Sequence, residues 1–187
     1  VPVTFSGGDP TAGLPNTGTF LDYDGDGVID FVGAWGSTFI NDMSAFKGVG
    51  NFVFVWTKTI WNYNNVIQGA DLDNDGADEV ITGGSSGNLF ALAFDNSTQA
   101  WNTHTIGNPA FTPYYWYCGC PYISWQYPMA DMDGTGFVDI VRGNSVFFNN
   151  GNFQFSKQVF DPNPNFAGPH MIVGDPDGDG QQEIWWA

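Results

Sequence analysis

One nine-residue pattern constrains this chain more than any other feature, because it recurs four times without a gap. It reads DYDGDGVID from Asp22, DLDNDGADE from Asp71, DMDGTGFVD from Asp131 and DPDGDGQQE from Asp175, with starts 49, 60 and 44 residues apart. Every copy has an oxygen-bearing side chain at positions 1, 3, 5 and 9 and glycine at position 6. Self-similarity at such a period marks a chain built from repeated supersecondary units. A short apolar or small-residue stretch precedes each copy, and a β-prone run follows it: Ile29–Val32, Glu79–Ile81, Val138–Val141 and Glu183–Trp186. Many glycines and prolines (25 and 11) favour turns between short strands over long helices.

The spacing carries a chemistry. Side chains at positions 1, 3 and 5 of a tight loop converge on one point, glycine at 6 permits the sharp turn, a carbonyl at 7 adds an oxygen and a carboxylate at 9 closes the shell. An all-oxygen set with this many flexible ligands suits Ca²⁺ better than octahedral Mg²⁺. Up to four calcium sites are expected. The first takes Asp22, Asp24, Asp26, Val28 through its carbonyl, and Asp30; the second Asp71, Asp73, Asp75, Ala77 (carbonyl) and Glu79. The third takes Asp131, Asp133, Thr135, Phe137 (carbonyl) and Asp139, and the fourth Asp175, Asp177, Asp179, Gln181 (carbonyl) and Glu183. Thr135 stands where the other loops have a carboxylate, so the third site is expected to be the weakest. Fifteen of the chain's twenty acidic residues are committed to these loops, against four basic residues in all. Clustered carboxylates repel at roughly 1 kcal/mol per pair at 4 Å even in water, which a bound cation would relieve.

Two other calcium loops fail on the same residues. An EF-hand needs a bidentate Glu at position 12 between helices, and position 12 here is Gly33, Thr82, Arg142 or Trp186. Tandem nonapeptide rolls fail because the copies lie tens of residues apart. The third repeat, MADMDGTGFVDIVRGNSVFFNNGNFQF over Met129–Phe155, has the loop, an Asp-Ile-Val strand, a second strand and an Asn-Asn-Gly-Asn-Phe turn. In this it resembles the FG-GAP/VCBS repeat family of integrin α-subunit propellers and many secreted proteins. The resemblance implies an all-β fold, a β-propeller of four-stranded blades around a central axis with calcium loops between strands. It implies no particular ligand, since such propellers serve adhesion, lectins and domains attached to enzymes.

About four strands fit between successive loops. After the first loop these are Ile29–Ala34, Ser37–Asn41, Phe52–Thr57 and Val66–Ala70; after the second, Glu79–Thr82, Asn88–Phe94, Ala100–Ile106 and Gln126–Ala130. The fourth loop is followed only by Glu183–Ala187, so a fourth blade would be closed by the termini, with Pro2–Phe5 contributing, or by a neighbouring subunit. Residues 1–187 read as a single domain of four blades. The longest spacing holds an aromatic-rich insertion over 109–127, with Tyr114, Tyr115, Trp116, Tyr117, Tyr122 and Trp125 as candidate ligand or interface residues. Tyr and Trp join apolar faces to polar edges, which suits a protein interface, sugar stacking or cover for the core. Cys118 and Cys120, within it, are a candidate disulfide that fits an oxidising compartment.

Catalytic patterns are weak. Gly83–Gly87 matches G-x-S-x-G, but that motif requires a strand, a turn and a helix, whereas Asn88–Phe94 reads as another strand. His104 and His170 sit in no acid–base pattern. Asn96 opens an Asn-Ser-Thr glycosylation acceptor. A net charge of −16 argues against nucleic acid and anionic membranes as partners, and no apolar run reaches a membrane-spanning length. Val1 in place of Met fits a processed or trimmed chain. The expectation is a secreted, non-catalytic calcium-stabilised propeller whose partner is itself, as oligomer or filament, or an extracellular protein or glycan. The alternatives are a lectin-like carbohydrate-binding propeller and a polysaccharide lyase or hydrolase domain.

Overall fold

The computed structural model describes residues 5–6, 17–36, 41–48, 52–60, 67–83, 88–108, 127–162 and 171–186. Among them the chain is all-β, in four sheets, with no helix. No helix is therefore long and apolar enough to cross a membrane. The first sheet contains β1 (Phe5–Ser6), β2 (Thr17–Leu21), β3 (Asp30–Gly36), β4 (Asn41–Gly48) and β5 (Phe52–Ile60), ordered β1-β5-β4-β3-β2. The second runs in sequence order through β6 (Ile67–Ala70), β7 (Glu79–Gly83), β8 (Leu89–Asp95) and β9 (Ala100–Gly107). The third does the same through β10 (Met129–Ala130), β11 (Asp139–Arg142), β12 (Ser145–Asn149) and β13 (Phe155–Val159). A two-stranded sheet of β14 (Met171–Gly174) and β15 (Glu183–Trp186) follows.

The strand count between loops matches the expectation, but the grouping does not. Each acidic loop lies inside one sheet, as the hairpin joining β2 to β3, β6 to β7, β10 to β11 or β14 to β15, so the strand before a loop belongs with those after it. The N-terminal strand also differs from expectation. Instead of completing the β14–β15 sheet, β1 pairs in parallel with β5, Phe5 opposite Phe52. Of the strand expected at Ser37–Asn41, residues 37–40 lie outside the described residues, and β4 spans Asn41–Gly48. There the small and polar residues of NDMSAFKG pair along β3 from Gly36↔Asn41 to Phe31↔Phe46. Local propensity in that stretch is weak, and pairing with a neighbour decides its conformation. After the G-x-S-x-G motif, β7 and β8 pair antiparallel from Gly83↔Leu89 inward, so a strand follows where a nucleophile elbow needs a helix.

The sheets stack through two apolar layers. Leu21, Val32 and Ala45 of the first sheet meet Ile67, Val80, Leu92 and Trp101 of the second. On the other face of the second sheet, Ile81, Leu89, Ala91 and Ile106 meet Tyr127, Ile140 and Phe147. Consecutive residues Val80 and Ile81 thus enter opposite layers, both fully buried, because side chains alternate along a strand. This explains why β7 reads as continuously apolar: it is covered on both faces. Each such side chain contributes about 1.5–3 kcal/mol. The approach of the first two sheets is close at Gly69, where a Cβ would stand 2.8 Å from the Leu21 Cβ. A larger residue there would have to push β6 away from β2.

Candidate metal centres

All four acidic loops have the same hairpin register. The residue just before position 1 pairs with position 9 in every sheet: Leu21↔Asp30, Ala70↔Glu79, Ala130↔Asp139 and Gly174↔Glu183. Eight residues therefore turn the chain, and two of them require a left-handed backbone. Position 6 is glycine throughout, at φ of 82°, 94°, 88° and 90°. Position 4 also has positive φ, in Gly25, Asn74, Gly134 and Gly178. The sequence reading missed position 4; its signal is that only glycine and asparagine, the residues most tolerant of that region, occur there.

The turns are held by carboxylates. Asp22 accepts N–H bonds from Asp26 (3.1 Å) and Gly27 (2.7 Å), and Asp131 from Thr135 (3.0 Å) and Gly136 (2.8 Å). Asp175 accepts from Asp179 and Gly180, and Asp71 from Gly76. Position 5 accepts the N–H of position 7 in three loops, Asp26 from Val28, Asp75 from Ala77 and Asp179 from Gln181, each at 2.8 Å. In the first three loops position 9 is buried: Asp30 and Asp139 are wholly inaccessible and Glu79 is 3% exposed, while Glu183 of the fourth is half-buried. Asp139 accepts N–H bonds from Met132 and Asn149, both at 2.7 Å, Glu79 from Leu72 at 2.7 Å, and Asp30 from Gly48 at 2.7 Å.

Positions 1, 3 and 9 converge in every loop. Asp22, Asp24 and Asp30; Asp71, Asp73 and Glu79; Asp131, Asp133 and Asp139; and Asp175, Asp177 and Glu183 each offer oxygens lying within 4.8 Å of one another. Of the five ligands expected per loop, these three form the cluster, while Asp26, Asp75 and Asp179 turn one oxygen to the position 7 amide. A metal ion fits these sets on two grounds. The donors are all hard oxygens, and in the first, second and fourth loops Asp24 Oδ1 and Asp30 Oδ2, Asp71 Oδ1, and Glu183 Oε2 are buried without a hydrogen-bond partner. Burying such oxygens unpaired is costly, and a cation would satisfy them.

Electrostatics follow burial. Desolvation, then the charges of Asp73, Asp75 and Asp71, push Glu79 up to about 8 against the pull of the Leu72 amide. Burial raises Asp30 to about 6, with the Gly48 amide and Lys47 restraining it, and raises Asp139 and Glu183 as well. In the first loop, however, a cation is already present. The Lys47 ammonium, on β4, bonds Asp24 Oδ2, lies 2.6 Å from Asp26 Oδ2 and 3.9 Å from Asp30 Oδ2. Burial opposes its charge, but the bonds to Asp24 and Asp26 and the charge of Asp30 outweigh burial and hold its pKa above the usual lysine value. Lys47 lies 17 residues beyond Asp30 in the sequence, and no local spacing connects it to this loop.

The loops are also tied to one another along one edge of the stack. Asp78, left unassigned by the sequence, donates its N–H to the Asp22 carbonyl (2.7 Å) and accepts the Asp22 N–H on Oδ2 (2.9 Å). Asn96 donates Nδ2 to the Asp24 carbonyl at 2.8 Å. The Asn74 amide reaches the Gly136 carbonyl at 3.1 Å, and Asn149 reaches Leu72 at 2.6 Å. At position 2, Tyr23 and Leu72 plug the apolar layer toward the following sheet, so each of these loops is fixed to the core beneath it. His104 stacks on Phe153, ring centroids 3.8 Å apart, which fits a structural histidine. Tyr114, Tyr115, Trp116, Tyr117, Tyr122 and Trp125, with Cys118, Cys120 and His170, lie outside the described residues.

No protein-family model matches the chain, and no curated protein matches it. Among solved structures the chain is similar to exotype rhamnogalacturonan lyase YesX, with a TM-score of 0.60 and 20% identity over 92% of this chain. At that identity the likeness concerns the fold. The chain spans 38% of the length of that structure.

Proposed function

We propose that this chain is a non-catalytic, calcium-stabilised extracellular module of FG-GAP/VCBS type, its sheets forming the blades of a β-propeller or part of one, and that it works by contact with itself or another surface macromolecule. The observation that carries this is the identical hairpin register of the four sheets, each bringing carboxylates from positions 1, 3 and 9 together. Calcium is the favoured ion because the donors are oxygens on a flexible, partly open loop, where octahedral Mg²⁺ would demand stricter geometry. Loops exposed at positions 4 to 6 suit the millimolar free calcium found outside cells. Support for a contact role comes from β14–β15, where the cross-strand pair Ile172 and Trp185 is 68% and 54% exposed. The test is a melting curve in calcium, in magnesium and in chelator. A clear rise in Tm with calcium beyond magnesium supports the reading, and three superimposable curves would sink it.

The likeness in fold to a rhamnogalacturonan lyase fits one other reading without favouring it, a segment of a polysaccharide-active enzyme. Charge weighs against it for an anionic polymer, because −16 in a chain this small repels such a substrate. Turnover of rhamnogalacturonan by the purified chain, lost on chelation, would reverse the order of the two readings.

A further inference from the structure

Among the described residues, the first loop differs from the other three in holding a cation of its own. Register places Lys47 beside the position 9 carboxylate: Phe31↔Phe46 in the first sheet corresponds to Val80↔Leu92 in the second and Ile140↔Phe147 in the third. The residues one step further, equivalent to Lys47, are Ala93 and Phe148, and neither can supply charge. Position 2 differs as well. It is Tyr23 here and Leu72, Met132 or Pro176 elsewhere, and the Lys47 ammonium lies 5.8 Å from the Tyr23 ring centroid, on a face that attracts cations. Tyr23 is itself 3% exposed and packed against Phe94 and Trp101, so its ring is a fixed wall.

We propose that the Lys47 ammonium is the resident cation of the first loop, so that this loop excludes a divalent ion while the other three take one each. This rests on the reading of the loops as metal sites. The geometry supplies the reason for exclusion. Calcium binds carboxylate oxygens at about 2.3–2.6 Å, and Lys47 already bonds Asp24 Oδ2 and Asp26 Oδ2. An ion sharing those oxygens would stand almost against the ammonium. A tethered cation also competes at high effective concentration, whereas calcium must come from solution. The first loop would then keep its shape when calcium falls, and the other loops would not.

The experiment counts calcium bound at saturation by the whole chain, through equilibrium dialysis and atomic emission. Lys47→Met is expected to bind one more ion than the wild type, and in chelator to melt below it. Two wild-type-based variants decide the matter even if Lys47→Met does not fold. Asp73→Asn, at position 3 of the second loop, should lose one ion, while Asp24→Asn, at position 3 of the first, should leave the count unchanged. Loss of an ion in Asp24→Asn overturns the role of Lys47 and leaves the metal reading intact. No calcium bound by any variant, wild type included, overturns both.

Discussion

The first and third loops share a backbone and differ in how their buried charge is met. Both place an aspartate with no accessible surface at position 9, Asp30 and Asp139. Asp139 is satisfied by two backbone amides, Met132 and Asn149. Asp30 has one amide, from Gly48, and leaves Oδ2 facing the Lys47 ammonium across 3.9 Å. The fold therefore tolerates the same buried carboxylate with either amides or a side-chain cation as its counterpart. The hairpin is the constant feature, and the counter-charge is the variable.

The largest expected effect is that of removing divalent ions. At calcium a hundredfold above Kd each occupied site contributes about 2.7 kcal/mol, so emptying three sites should lower Tm by on the order of 15 °C or more. Next comes Asp139→Ala, which removes a proposed ligand and strands the N–H groups of Met132 and Asn149, at a cost of about 3 kcal/mol or more. Most of that loss should persist in chelator, because the amides remain unpaired. Asp30→Ala strands one amide and should cost less in the same denaturation assay. Equal losses would break the contrast between the loops.

A pH series on chelated protein sharpens the comparison further. Burial raises both Glu79, to about 8, and Asp30, to about 6, above their ordinary values of 4.5 and 3.8. A group with a raised folded pKa holds its proton longer in the folded state. Its contribution is complete below the unfolded pKa and is lost as pH rises through the folded one. Chelated protein should therefore be more stable near pH 5 than near pH 8, and Glu79→Gln should flatten the loss between pH 6 and 8. With calcium present the trend should reverse, since protons compete with the ion for the same oxygens. The smallest effect belongs to the turn itself. Gly76→Ala, at φ of 94°, should cost about 1–2 kcal/mol in either buffer, because the strain is in the backbone and not in the ion site.

Much of the site was legible in the sequence because a hairpin loop is a local object. Aspartates at positions 1 and 3, an aspartate or glutamate at 9 and glycine at 6 are fixed by short-range spacing, and the structure brings those carboxylates together in all four copies. The count of strands between loops was legible for the same reason. What was not legible depends on register between distant residues. Lys47 reaches Asp24 only because β4 pairs with β3 at Phe31↔Phe46. Asp78 meets Asp22, and Asn149 meets Leu72, only once the sheets have stacked. Grouping the strands into sheets needed the same knowledge, since nothing local says that Ile67–Ala70 pairs across its own loop and not backward. The weak strand signal of Asn41–Gly48 was likewise resolved by its neighbours.

The most direct test of the account is an anomalous difference map from crystals grown with a lanthanide in place of calcium. The account predicts peaks among the carboxylates of Asp71, Asp73 and Glu79, of Asp131, Asp133 and Asp139, and of Asp175, Asp177 and Glu183, with the ammonium of Lys47 in the first loop. A map without a peak in any acidic loop would contradict it.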